Sequence, residues 1–369
     1  MTADIPRSGR FPEPANRLFN PVDFGAKGDG ASDDTLPIQQ AIDAAAQCGG
    51  VVVFRPGVYV TGELHLHHGS SLRGELCNRY GYKDEEPCVR LQLREDDTSK
   101  SLLNISEARG TRIFGLDLFG LGAEHPRKVH GILLDHAEFG PAHDSPVIDS
   151  CQIRRFSGDG CFFNRVFVLS LRFTSISGNG GCGINAYGWD GFITDCTLTG
   201  SHDAGLRLRG ASYTVTANRI EWNRKGGVVL DGSSHINLTG NYIDRSGLLG
   251  ISMRKTKITT CTGNLIYRSG KVEWQNDEPL DSAHVRITDC SGVVFSGNTF
   301  CAGRDDNGMG IHSPDYGLII GGNRACVIKG NTLADSCLKQ TIVDLGGNTD
   351  CAIGDNPGFL RTLPPEQKN

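Results

Sequence analysis

Residues 181–202 read GCGINAYGWDGFITDCTLTGSH, residues 203–225 DAGLRLRGASYTVTANRIEWNRK and residues 226–247 GGVVLDGSSHINLTGNYIDRSG. Each segment has a Gly, an apolar run, a turn of small residues, a second apolar run and a polar corner. The apolar residue after the Gly is Ile184, Leu206, Val228 and then Ile251, at gaps of 22, 22 and 23. A period in the range of roughly 20–50 residues marks stacked units, each burying its apolar face only against its neighbours. Two or three short strands per unit, with no helical pattern between them, predict an all-β chain: a right-handed parallel β-helix.

The anchors extend outward from this stretch. Ile132 and Phe162 precede it at gaps of 30 and 22, and Val285, Ile311 and Ile342 follow at gaps of 34, 26 and 31. The excess residues read as loops near 136–144, at 268–282 (RSGKVEWQNDEPLDS) and at 301–308 (CAGRDDNG), with a charged excursion at 76–100. Insertions in a solenoid gather on one face, often the binding face. A second ladder supports the register. Asn218, Asn241, Asn264, Asn298 and Asn331 each stand two residues before an apolar position, at spacings of 23, 23, 34 and 33. Stacked Asn at one turn satisfies backbone and neighbouring amides, so these residues read as structural.

The bulk composition agrees. In 369 residues there are 49 Gly, and Phe, Trp and Tyr make up only 7%, as many short strands between tight turns require. The net charge of −5 argues against nucleic acid or an anionic membrane surface as partner. No apolar run approaches the roughly 18 residues of a membrane helix. Thirteen cysteines are many, but most lie in apolar strands and none forms a CxxC pair. They read as buried, reduced thiols rather than a disulfide or zinc framework. The opening MTADIPRSGRFPEP has no apolar core of a signal peptide, so the expectation from this sequence is a cytoplasmic, reducing compartment.

Residues 1–19 read as an arm, 20–356 as one β-helix domain and 357–369 as a tail. Within 20–75, which read as cap and first rungs, a helix is expected from Asp34 or Thr35. Asp34 is a good N-cap, and Pro37 sits in the first turn. Ile38, Ala41, Ile42 and Ala45 form one apolar stripe, and Gly49-Gly50 ends the helix. Such a helix covers the open apolar end of a solenoid. The segment DFGAKGDGASDDT…IQQAIDAAAQCGG…PGVY resembles the N-terminal region of the pectate-lyase-like superfamily, shared by polygalacturonases, related β-helical enzymes and phage tailspikes. The resemblance covers 20–75 closely and the remainder only as a generic β-helix. It implies that Asp23, Asp29, Asp33 and Asp34 are structural, and it leaves a homotrimer open. The GHG and RIK segments of polygalacturonases are not present, and GRDDNG is the nearest approach to their GDD.

Two sets of residues carry candidate chemistry. If the anchors point inward, the residues after them point out, because strand side chains alternate. That outer row holds Asn185, Arg207, Arg209, Asp231, Ser252, Arg254, Arg286 and His312, with Asp135 and Asp344 at its ends. Guanidinium groups in a row suit carboxylates and hydroxyls. The second set follows the Asn ladder. Aligning IEWN, IDRS and IYRS puts Glu221, Asp244 and Tyr267 at one position on successive rungs, and Trp222, Arg245 and Arg268 at the next. Two carboxylates about one strand spacing apart resemble a glycosidase pair, and like charges that close drive one pKa up. Trp222 and Trp274 suit stacking on sugar rings. The plainer reading is that Glu221 and Asp244 pair with Arg224, Arg245 or Arg268 at a corner. Asp203, beside His202 and near Arg207, is a third candidate acid. Asp305 and Asp306, near His312, are weaker candidates.

The expectation drawn from this is a carbohydrate-active enzyme that cleaves or transfers glycosidic bonds with Glu221, Asp244 and Asp203. Arg207, Trp222, Asp231, Arg245, Arg254, Tyr267, Arg268, Trp274, Arg286 and His312 are then substrate-binding, and no cofactor or metal is needed. A polysaccharide lyase or uronate epimerase using an Arg/Tyr/His constellation is the alternative. A non-catalytic, glycan-binding β-helix of tailspike type is another.

Overall fold

The structure, a computed structural model, describes residues 17–75, 89–270, 282–304, 311–312 and 314–361. Parallel strands stack into a sheet of 22 strands and a second of 11. The larger sheet comprises two ladders, so each turn of the chain visits three ladders before rising one rung. Strands Ile184–Thr194 and Ala204–Thr216 pass from the first ladder to the second without a break.

The register of the first ladder matches the repeat. Ile184 pairs with Leu206, Leu206 with Val228, Val228 with Ile251 and Ile251 with Val285. All five are buried. Fully burying such a side chain stabilises by about 1.5–3 kcal/mol, and the stacked columns form one continuous core. Two anchors are corrected. Cys161, not Phe162, pairs with Ile132 and Ile184, so Phe162 lies on the outer side. Leu318, not Ile311, follows Val285 and pairs with Ile342. Ile311 instead pairs antiparallel with Arg304 in a short hairpin. Asp344 is also moved. It pairs with Ile320, at an inward register, and ends the ladder exposed.

The Gly before each anchor is required by packing. A Cβ at Gly183 would lie 2.6 Å from the carbonyl oxygen of Gly205, one rung on. Between Gly131 and Gly317 this column holds Gly except at His284, which is fully buried. The Asn ladder forms as expected. Asn264 Oδ1 accepts from the Asn241 backbone N and Nδ2, both at 3.0 Å, and its own Nδ2 donates to Asn298 Oδ1 at 2.9 Å. The ladder continues to Asn356, and a second, unforeseen pair joins Asn323 to Asn348.

The helix runs Thr35–Cys48, ends at left-handed Gly49 and buries Ile38, Ala41, Ile42 and Ala45 in the main core. Asp34 precedes it but does not cap it. Its carboxylate accepts instead from the backbone N–H groups of Lys27 and Gly28, at 2.7 and 3.0 Å. Leu18–Phe19, at the end of the expected arm, pair in parallel with Val51 and Val52. The described cysteines are free thiols and mostly buried. Among the described residues no helix is long and apolar enough to cross a membrane.

Candidate functional site

Glu221, Asp244 and Tyr267 do stack in one register on the third ladder. Both carboxyl groups are nevertheless closed to solvent, with Glu221 2% and Asp244 0% exposed. Asp244 accepts from Arg245 at 2.6 Å and from two nitrogens of Arg268 at 3.0 and 2.7 Å. Glu221 accepts from Arg219 Nε at 2.8 Å. Burial pushes the Asp244 carboxyl up; Arg268 and Arg245 pull it down, and Glu221 adds to the rise. Trp222, Arg245 and Arg268 all take left-handed backbone at the corner, with φ of 58°, 47° and 46°. That turn folds the Arg245 guanidinium over the Trp222 ring at 4.7 Å and the Arg268 guanidinium over Tyr267 at 3.9 Å. The expected catalytic pair thus meets arginine rather than open solvent. Trp274 and the Asp305–Asp306 pair lie outside the described residues, as does the His312 side chain. The His312 backbone pairs antiparallel with Gly303, away from the outer row.

The outer face of the first ladder is open. One outward column runs Asp135, Asn164, Tyr187 and Arg209. Asp231 follows at the same strand position and pairs with Arg254, which pairs in turn with Thr288. The neighbouring column runs Phe162, Asn185, Arg207, Val229, Ser252 and Arg286. Side chains link residues within a column and across the two. Asn164 Nδ2 donates to Asp135 at 2.7 Å, and Arg209 donates to Asn185 Oδ1 at 3.3 Å while lying 5.8 Å from the Tyr187 ring. Further along, Arg254 grips Asp231 through two nitrogens at 3.2 and 2.8 Å.

At the start of these strands a second polar layer supports the row. Asp203 accepts from Arg207 at 2.8 Å. Burial works against the Arg207 charge, but the Cys182 thiol and Asp203 outweigh it and hold the guanidinium above its usual range. Asp159 accepts from the Cys182 backbone at 2.6 Å and from Asn185 Nδ2 at 3.2 Å. The Asp159 N–H donates to His130 Nδ1 at 2.9 Å, which leaves the ring proton on Nε2. Burial holds His130 below the usual imidazole range, against the pull of Asp159, so the ring is neutral near pH 7.

The loop after strand His130–Asp135 builds a wall beside the row. His136 and Asp144, 2.9 Å apart, close its base, and Asp144 also accepts from the Phe167 backbone at 2.8 Å. Phe139 from this loop stacks on Trp189 at 4.0 Å and meets Tyr187 edge-on at 5.5 Å. Tyr187, Trp189, Phe139, His130 and Asp159 were not singled out from sequence. The signal for Tyr187 was present, since it stands three residues after its anchor, as Arg209 does. Among the described residues no three metal-ligating side chains gather into a metal site.

An open strip of arginine, amide, hydroxyl and aromatic side chains is suited to an extended sugar chain. Comparison with known proteins bears on this. The family model described as "Rhamnogalacturonase A/epimerase, pectate lyase-like" matches residues 18–98, and that described as "Right handed beta helix region" matches residues 190–356. Mannuronan C5-epimerase AlgE1 of Azotobacter vinelandii is 32% identical over 197 residues, half of this chain but 13% of that protein. Alginate lyase 7 of the same organism is 51% identical over 51 residues, 14% of this chain and 6% of that protein. The chain therefore aligns with only a small part of either relative. Among solved structures, the A-module of mannuronan C-5 epimerase AlgE6 from Azotobacter vinelandii superposes with a TM-score of 0.70 at 20% identity, covering 94% of this chain and all of that one. At that identity the likeness speaks for the fold. With the three-ladder coil, the capping helix and the Asn ladder in place, the chain is a right-handed parallel β-helix whose residues 18–98 resemble the pectate-lyase-like family model.

Proposed function

We propose that this chain acts on a uronate-containing polysaccharide laid along the outer face of the first ladder, and that it removes the proton next to the carboxylate. The observation that carries the reading is the pair Arg207 and Arg209, both outward on one strand, with Tyr187 one rung before Arg209. An arginine that holds the substrate carboxylate offsets the charge that builds there as the C5 proton leaves. Tyr187 supplies a hydroxyl on the same face, and His130 supplies a neutral ring whose Nε2 carries a proton. The proton passes from C5 to a base on one face of the ring. Return of a proton from the other face inverts C5, and departure of the O4 substituent instead gives an unsaturated uronate. Neither route changes the oxidation level overall, so neither requires a redox cofactor. Inversion is the preferred outcome, because mannuronan C5-epimerases recur among the relatives. Phe139 and Trp189 offer ring faces on which a sugar can stack.

Hydrolysis by Glu221 and Asp244 is less well supported. A glycosidase pair must reach opposite sides of a bound sugar, and here both carboxyls are buried with Asp244 held by two arginines. The test is incubation of mannuronan and polygalacturonate with the protein in D2O. Deuterium at C5, with inverted configuration or an unsaturated end, is the expected product. New reducing ends without C5 deuterium would replace this reading with hydrolysis. An unchanged polymer would leave a binding β-helix.

A further inference from the structure

Beyond Arg254 the outward columns change character. The column Arg254, Thr288, Gly321 loses its side chains rung by rung. Where it does, the surface sinks into a depression of about 430 Å³ lined by Arg286, Thr288, Asp289, Gly321, Gly322 and Gly346, with Leu345 at its edge. The depression exists because side chains are withheld. A Cβ at Gly321 would lie 2.8 Å from Leu345 Cβ, and one at Gly322 2.5 Å from Asp289 Oδ1. Its volume falls within the range of about 300–1,000 Å³ usual for small-ligand sites.

The depression lies in line with the proposed site. Arg286 stands in the same outward column as Arg207, three rungs on through Val229 and Ser252. With adjacent strands about 4.8 Å apart, the two guanidinium positions are separated by about 14 Å along the helix axis. The residues between them in that column, Val229 and Ser252, are small, so a chain passing over them meets no tall side chain. Thr288 adds a hydroxyl and Asp289 an acceptor beside Arg286. Charge of the right sign, an acceptor for sugar hydroxyls and room for a ring therefore coincide at a fixed distance.

We propose that this depression is a remote subsite for a second uronate unit of the same polymer chain, with its carboxylate on Arg286. The proposal rests on the uronate reading of the sheet face and adds where, and how far away, the chain is gripped again. A short oligomer fills only the Arg207–Arg209 end. A longer one reaches Arg286, and this second contact is made at high effective concentration because the first already holds the chain.

The experiment measures binding of reducing-end-labelled uronate oligomers of graded length to the full chain, by fluorescence polarisation at low temperature. Affinity is expected to rise about tenfold at the length that spans both ends. In Arg286→Ala and, separately, Thr288→Asp, that step is expected to vanish while binding of the short oligomers is unchanged. Thr288→Asp reverses the local field and leaves Arg286 in place, so the result does not depend on one variant folding. A step that persists in both variants, or affinity independent of length, overturns the subsite and leaves the uronate reading standing. Equal binding of neutral glucan oligomers, or no binding of uronates at any length, overturns the uronate reading and the subsite with it.

Discussion

Replacing Asp244 by Asn separates a structural carboxylate from a catalytic one. The substitution keeps the shape and removes the charge. Asp244 holds Arg245 at 2.6 Å and Arg268 at 3.0 and 2.7 Å, and all three side chains are almost wholly buried. Solvent therefore screens these contacts little. Removing one partner of a buried ion pair typically costs about 3–5 kcal/mol, because the remaining charge is left without its counter-ion. Glu221 lies beside Asp244 across the register and takes up part of the arginine field. That places the loss at the lower end, about 3 kcal/mol. Urea m-values reach about 3 kcal/mol/M and grow with chain length. The unfolding midpoint of Asp244→Asn should then fall by about 1 M. The assay is urea unfolding followed by circular dichroism, with turnover on the uronate polymer measured well below the transition. Folded Asp244→Asn is expected to keep turnover near that of the unchanged chain. A variant as stable as the unchanged chain but about 100-fold slower would refute the reasoning and make Asp244 a catalytic carboxylate.

Other consequences are smaller in scope. Asn264→Ala strands the Asn241 amide, the Leu238 carbonyl oxygen at 3.0 Å and Asn298 Oδ1 at 2.9 Å, and should cost about 3 kcal/mol by chemical denaturation; Asn356→Ala, at the half-exposed end of the ladder, should cost about 1 kcal/mol. An equal loss at both positions would show that the stacked amides are not the source. His284 is fully buried with Nε2 2.8 Å from the Ser336 carbonyl oxygen, and burial lowers its pKa to about 4. The folded chain keeps it neutral while the unfolded chain protonates it near 6.5. Its contribution, about 3 kcal/mol, is therefore fully present above pH 6.5 and lost as the pH falls toward 4. Melting temperature against pH should flatten across that window in His284→Gln, and an unchanged slope would assign the acid sensitivity elsewhere. Phe139→Ala removes the ring stacked on Trp189 and should raise KM for the polymer with little change in melting temperature; unaltered KM would remove the wall from the binding site.

Much of the fold could be read from residues 181–254 because one rung repeats the same local demands. Gly183 and Gly227 precede their anchors since a Cβ there would meet a carbonyl oxygen of the next rung, and Gly205 since one would meet Asn223 and Ile220 of its own turn. Asn218, Asn241 and Asn264 recur since one corner must satisfy its amides. The same Gly rule identifies Cys161, which follows Gly160, but it does not separate Leu318, after Gly317, from Ile311, after Gly310. Phe162 is the bulkier apolar residue and draws attention away from Cys161. Asp34 looked like a helix cap because its position suits one, but the Lys27–Gly28 turn, folded back onto it, takes its carboxylate.

The site was legible only where alternation decides it. Arg207, Arg209, Asp231, Arg254 and Arg286 do face outward, and Glu221 does stack on Asp244. Whether stacked carboxylates meet solvent depends on the corner that follows them. There, left-handed Arg245 and Arg268 turn their guanidinium groups back onto Asp244. No period in the sequence encodes that turn. Phe139 was equally hidden, because a loop from one rung docks its ring on Tyr187 and Trp189, which lie two rungs further on.

The outer face of the first ladder and the buried carboxylate corner are the two places where the chemistry can sit. The direct measurement is the initial rate of C5 deuterium incorporation into uronate polymer by Arg209→Ala and by Glu221→Gln, each confirmed folded by its melting temperature. Loss of one charge-assisted contact to the carboxylate, made stronger as charge builds there, predicts a rate reduced about 100-fold or more in Arg209→Ala and close to unchanged in Glu221→Gln. Full rate in Arg209→Ala together with loss in Glu221→Gln would contradict it and return the chemistry to the carboxylate corner.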